Sequence, residues 1–276
     1  MVTVAVAPLQ SCRRHGGALK LRRGATFGEV SIAPLQPQPP ANSSLAGTGT
    51  ALAINYLTIG VAPDMPCSTG RGGARNRADR ESHTLTARQI ANLSAAERHA
   101  GLIGLPFTRM ITIHWEAAGV ALAVMAKATG RFLDLLTRWL VRKRRRTSWI
   151  WVHENGDGKG GHCHLLVHVP ADLVQELTGK VRRWLRIISG KPYRADVIHS
   201  KPIGGRLGLE AGNPDLHASN LGAALGYVLK GVESEVAAQL GLKRLEPGGR
   251  VIGKRCGTSQ NIAAKARKAK RTKYGC

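Results

Sequence analysis

The stretch from Trp149 to Pro170, W-I-W-V-H-E-N-G-D-G-K-G-G-H-C-H-L-L-V-H-V-P, constrains the chain more than any other. Two runs of strand composition, 149–154 and 162–169, flank a connection rich in Gly, Asn and Asp, which predicts a β-hairpin. Side chains alternate faces along a strand, so His162 and His164 point the same way, about 6 to 7 Å apart. Two imidazoles on one face can share a divalent cation. Of the neighbours His153 and Glu154, only one can face them, and Glu154 is the expected third ligand because a carboxylate keeps a hard metal exchangeable. His168 shares the face of His164 but lies about 13 Å further along, too far to be a co-ligand. His114, ending the preceding predicted strand, is a reserve. Imidazole and carboxylate together suit Mn²⁺, Mg²⁺ with water, or Zn²⁺.

Around this hairpin the pattern reads strand, helix, strand, strand, helix, strand, helix. Phe107–Trp115 alternates, with Met110, Thr112 and His114 on one face. A helical stretch over 116–146 carries a predicted break at Gly130. An apolar stripe of Leu173, Leu177, Val181, Trp184, Leu185 and Ile188 predicts a helix over 171–189. A strand over 195–203 and a final helix over 219–240 follow. The mixture of hairpin and crossover connections implies one α+β domain, an antiparallel-dominated sheet with helices packed on it. The expected division is a largely disordered extension over 1–104, the domain over 105–242 and a flexible basic tail over 243–276. Within the extension, 82–105 predicts a helix capped by Thr86 or Ser94.

Charge narrows the partners. Forty-one Lys and Arg against 17 Asp and Glu give a formal net charge of +24, which favours polyanions, nucleic acid first. Two clusters stand out as phosphate-contacting candidates. One is Arg142, Lys143, Arg144, Arg145 and Arg146, beyond what capping a helix C-terminus requires. The other is the tail, where 243–273 holds eleven Lys or Arg against the single acid Glu246 and includes Lys265, Arg267, Lys268, Lys270 and Arg271. The five cysteines are scattered without a C-x-x-C pair, so neither a disulfide framework nor a zinc finger is expected. The uncharged stretch 31–63 is broken by prolines, and its apolar part, 51–61, is too short to span a bilayer. With no charged region before the first apolar residues, no signal peptide is expected and a cytoplasmic location is the default.

In N-L-G-A-A-L-G-Y-V-L-K-G, Leu221, Leu225, Val228, Val232 and Val236 form the expected buried stripe, with Tyr227 and Lys230 off it and near each other. A phenol can attack a phosphodiester polarised by a metal, splitting one transfer into two through a covalent intermediate. The lysine then binds the phosphate or lowers the phenol's pKa.

Glu154, then His162-Cys163-His164, then Tyr227-Val228-Leu229-Lys230 resembles the HUH endonuclease superfamily, specifically its rolling-circle replication initiators. The resemblance covers about residues 106–240. It implies a five-stranded antiparallel sheet with the histidines on a central strand, and a divalent metal, Mn²⁺ or Mg²⁺, on His162, His164 and Glu154. It also implies nicking of single-stranded DNA at an origin, with a 5′-phosphotyrosyl link on Tyr227 and a free 3′-OH for a host polymerase. G-G-R-V-I-G-K-R over 248–255 departs from a phosphate-binding loop because Arg255 stands in the Ser/Thr slot, so a host helicase is expected. A relaxase-like nickase places its tyrosine before the histidines, and only Tyr56 precedes them here. A single-tyrosine transposase is the nearer alternative. A non-catalytic DNA-binding protein with a structural metal is the alternative of another class.

Overall fold

The structure is a computed structural model that describes residues 79–205, 209, 212–242 and 244–274, with side chains through residue 269. The expectations for residues 1–78, Tyr56 among them, and for the side chains of Lys270 and Arg271 lie outside the described residues. Five strands form an antiparallel sheet: β2 (Arg109–His114), β3 (Trp149–Gly156), β4 (Gly160–Val167), β5 (Ile198–Pro202) and β7 (Cys256–Thr258). Their order is β5-β2-β4-β3-β7, which puts β4 and its histidines in the centre. A second, two-stranded ribbon pairs β1 (Glu81–Ser82) with β6 (Val251–Ile252).

Strand alternation separates the two faces of the sheet. Ile111, Ile113, Trp151, Cys163 and Leu165 pack under α2 (Met125–Arg142) and α3 (Val174–Ser189). Ile150, Val152 and Leu166 pack with α1 (Ala87–Leu102) and α4 (Pro214–Val228). The central strands are therefore apolar on both faces, and the polar cluster of β4 occupies one end of the second face.

Local chemistry accounts for most boundaries. Thr86, not Ser94, caps α1: its hydroxyl accepts from the Gln89 N–H at 3.3 Å, and the Gln89 side chain accepts from the Thr86 N–H at 2.9 Å. Asn213 caps α4, with Pro214 in its first turn. The predicted break at Gly130 does not occur. A glycine costs a helix interior only about 1 kcal/mol, and the buried stripe of Met125, Phe132, Leu133, Leu136, Trp139 and Leu140 outweighs it. The predicted helix over 219–240 is instead α4 followed by the short α5 (Ser234–Gln239). Between them the Gly231 carbonyl accepts from the Leu85 N–H at 2.8 Å and the Lys230 carbonyl from the Glu246 N–H at 3.1 Å. Those partners draw the backbone out of helical pairing.

The expected flexible tail is corrected for residues 244–274. β7 is an edge strand paired with β3, α6 (Ala264–Tyr274) follows it, and Ile262 between them is fully buried. Arg255 is the pin: its guanidinium is buried and donates to Ser82 Oγ at 2.9 Å, Gly249 O at 2.5 Å and the Ser82 carbonyl. The basic residue in the mismatched slot of the glycine-rich stretch is thus a structural cross-link. Likewise the extension is folded from residue 79 onward, since Ile90, Leu93 and Ala96 of α1 are fully buried.

Beneath the sheet, Thr129 Oγ1 accepts from Trp115 Nε1 at 2.8 Å and donates to His153 Nε2 at 2.7 Å. His153 Nδ1 donates to the Lys254 carbonyl at 2.9 Å. Burial pushes this imidazole's pKa down to about 3. An unfolded histidine takes up its proton near pH 6.5. Its contribution to stability is therefore complete above that pH and is lost as pH falls toward the folded value. Between about pH 6.5 and 4.5 the wild type is expected to lose up to about 1.4 kcal/mol per pH unit more than His153→Gln. Urea unfolding midpoints measure this, and parallel curves would refute it.

Candidate metal centre

Cross-strand register assembles the site. Glu154 of β3 stands opposite His162 of β4, and Thr112 and His114 of β2 stand opposite His164 and His162. Glu154 Oε2 lies 3.3 Å from the Nε2 atom of each histidine. All three side chains are buried, and their ligand atoms fall within 4.8 Å of one another. This is the expected triad. His153 faces the opposite side, and His168 is engaged elsewhere, its Nδ1 donating to the Pro106 carbonyl at 2.7 Å.

The rings are oriented from behind. His162 Nδ1 donates to the Gly160 carbonyl at 2.8 Å, and His164 Nδ1 lies 3.0 Å from Thr112 Oγ1. Such partners leave Nε2 of each ring directed at the carboxylate, the arrangement of metal-ligating histidines. Gly160 has φ +62° and allows no side chain, because a Cβ there would collide with the Glu116 carboxylate. That carboxylate accepts from the Gly161 N–H at 2.9 Å and seats the hairpin turn. Glu154 Oε1 is buried without a hydrogen-bond partner. Two oriented imidazoles, a carboxylate and an unsatisfied buried oxygen fit a divalent cation.

Lys230 is not the surface residue that its spacing suggested. It is buried, its ammonium contacts Glu154 Oε2, and it lies 3.5 Å from His164 Nε2. Glu246 is a further carboxylate at 3.8 Å. Burial alone would raise the Glu154 carboxyl, but hydrogen bonds with His162 and His164 and the charge of Lys230 hold it well below the usual range. Burial drives His164 down to about 4 against the pull of Glu154.

Tyr227 is partly buried, with its ring edge-on to His164 at a centroid distance of 5.0 Å. The Lys230 ammonium is 4.4 Å from the ring centroid and the Arg244 guanidinium carbon 4.8 Å. The expected lowering of the phenol by Lys230 is not found. Burial and the carboxylates of Glu154 and Glu246 raise it, against the pull of the Arg244 guanidinium.

A cleft of about 520 Å³ opens over the two histidines and Tyr227. Sequence reasoning missed three of its basic walls, Lys159 from the hairpin turn and His199 and Lys201 from β5. His199 and Lys201 sit two apart on a predicted strand, the same signal that revealed His162 and His164. His114 faces the cleft without joining the triad, 5.5 Å from His162 and 5.6 Å from His199 between ring centroids.

The predicted phosphate-contacting clusters lie apart from this cleft. Arg142–Arg146 precede β3 at the end opposite Glu154, about 17 Å of strand away. Lys143 pairs with Glu176 at 2.8 Å and Arg145 with Asp172 at 2.9 Å, so two of the five charges are already answered. In the tail, Arg267 is tied inward, donating to Asn92 Oδ1 at 2.7 Å and the Ile262 carbonyl at 2.6 Å, while Lys265 and Lys268 are exposed. Among the described residues, no helix is long and apolar enough to cross a membrane. Comparison with protein-family models, with curated proteins and with solved structures found no match to this chain.

Proposed function

We propose that the protein is a metal-dependent nickase of single-stranded DNA, of the rolling-circle initiator type, with Tyr227 as nucleophile. The observation that carries this reading is the contact of the Tyr227 ring with His164, in the cleft that both line together with His162 of the Glu154–His162–His164 triad. A divalent cation bound by these three residues supplies a Lewis acid for a non-bridging phosphate oxygen.

The chain's own residues do the rest. Tyr227 oxygen forms a bond to phosphorus, the phosphorus–O3′ bond breaks, and the 3′ oxygen leaves as a hydroxyl while the phenol gives up its proton. The raised phenol makes that proton transfer part of the step, and the cleft supplies imidazoles to receive it. Burial and the neighbouring His162, His199 and Lys159 lower the pKa of His114, which keeps this ring a neutral acceptor at physiological pH. Lys159, His199 and Lys201 line the same cleft and suit the flanking phosphates.

Incubation with single-stranded DNA and Mn²⁺ or Mg²⁺ is expected to yield a covalent adduct on the Tyr227 peptide, read by mass spectrometry. Tyr227→Phe is expected to yield none while still binding DNA. An adduct on the Phe variant would sink the assignment, and no adduct in the wild type would favour a non-catalytic DNA-binding protein with a structural metal.

A further inference from the structure

A group of cations without ion-pair partners lies on α3 and the loop after it, on the far side of the sheet from the metal centre. Arg182, Arg183 and Arg186 are exposed on one side of α3, and Lys191 and Arg194 are exposed on the loop. Among the described residues, none of the five has a carboxylate within ion-pair distance. Lys143, Lys180, Arg138 and Arg145 nearby do have one. Five adjacent cations without counter-charges repel one another, a cost that a bound polyanion relieves.

The relief here is more than charge. Arg182, Arg183, Arg186 and Lys191 line a shallow groove of about 730 Å³ whose wall is Tyr193, with the Arg182 guanidinium 5.6 Å from the ring centroid. Gly179 and Gly190, which carry no side chains, also line this groove. Cations along a groove with a partly exposed aromatic ring are what a single strand requires, phosphates on the cations and a base on the ring. Arg182 and Arg186 are one helical turn apart, about 6 Å, a spacing that lets each take a separate phosphate.

The groove also leads to the cleft. A small hollow of about 160 Å³ joins Arg182 and Tyr193 to Ile198 and Ser200 of β5. The next residues on that strand, His199 and Lys201, line the metal-centre cleft instead. β5 is the outer strand of the sheet, so the two basic surfaces meet around a single sheet edge. Following that path requires a sharp bend. Duplex DNA, stiff over about 50 nm, resists it, whereas a single strand does not.

We propose that single-stranded nucleic acid leaving the cleft wraps the β5 edge and seats on Arg182, Arg183, Arg186, Lys191 and Tyr193. The direction of travel rests on the nickase reading; the binding surface does not need cleavage to be tested. A labelled 30-nucleotide strand is titrated in EDTA at several salt concentrations. Arg182→Gln/Arg183→Gln/Arg186→Gln is expected to reduce the slope of log K against log salt by about 2, at about 0.7 per lost phosphate contact. Arg186→Gln alone is expected to reduce it by about 0.7. Tyr193→Ala is expected to weaken binding about tenfold with the slope unchanged, the effect of losing one stacked base. Lys143→Gln/Arg145→Gln, which removes ion-paired cations, is expected to leave the slope within about 0.5 of wild type. The substituted arginines are exposed, so thermal melting is expected to match wild type. An unchanged slope in both arginine variants overturns the proposal, as does tighter binding of wild type to the duplex of the same sequence. Failure of adduct formation on Tyr227 leaves this result untouched, and an unchanged slope leaves the adduct assay untouched.

Discussion

Glu154→Met is expected to destabilise the protein by about 3 to 5 kcal/mol, the cost of stranding a buried charge. The charge in question is Lys230, whose side chain is 2% exposed and whose ammonium is held by Glu154 Oε2. Methionine matches the glutamate in size, so cavity formation contributes little and the loss reports the ion pair. Glu246 at 3.8 Å compensates only in part, since it is itself paired to Arg244, whose Nε donates to it at 2.8 Å. Replacing both partners, Glu154→Met/Lys230→Met, is expected to recover most of the loss, because a buried pair exchanged for apolar groups is often neutral. Urea unfolding of the two variants and the wild type decides it. A single variant within about 1 kcal/mol of wild type would mean that Lys230 finds water on its own. Binding of Mn²⁺, followed as a rise in melting temperature, is expected in the wild type and absent in both variants. The same carboxylate thus faces both Lys230 and the two histidine Nε2 atoms, so it serves the fold and the candidate metal site together.

Deleting residues 250–276 is expected to remove at least 5 kcal/mol, enough to abolish cooperative unfolding in a domain of ordinary stability. The deletion takes away the partner of Ile150, Trp151 and Val152 in β3 and leaves a central apolar strand as an open edge. It also removes Val251, Cys256 and Ile262, all buried, at about 1.5 to 3 kcal/mol for each large apolar side chain. The guanidinium of Arg255 would no longer tie Ser82 to Gly249. Circular dichroism on heating would show a sigmoidal transition in the full chain and none in the truncated one. A cooperative transition at the wild-type temperature in the truncated chain would restore the view that this segment is a dispensable arm.

That segment shows where sequence reasoning stops. Its cations read as solvated because they outnumber acids, but a solvated arm and a cross-linking arginine have the same one-letter composition. β7 is only three residues, Cys-Gly-Thr, too short for any period to emerge, and Gly257 is there because a Cβ would meet the Trp151 ring at 2.8 Å. No local pattern announces that contact. Lys230 escaped for a related reason. A continuous helix would have carried it to the surface beside Tyr227, whereas the break after Val228, held by Leu85 and Glu246, turns it into the core. Arg142–Arg146 look uniform in sequence, yet Glu176 and Asp172, some 30 residues on, neutralise two of them.

The hairpin behaves differently because its determinants are local. Alternation along β4 was enough to put His162 and His164 on one face and to leave His168 out of reach. Alternation along β3 put His153 and Glu154 on opposite faces, and ligand chemistry chose Glu154 between them. Strand pairing translates that alternation directly into space, so the triad and the antiparallel α+β class were decided by the sequence alone. What only the tertiary structure decided is how that triad is used: which cation answers Glu154, what lies against Tyr227, and which basic surfaces border the cleft. Those depend on contacts between residues far apart in the chain, such as Lys230 with Glu154, 76 residues away, and such pairs are chosen by packing of the whole chain rather than by any period within it.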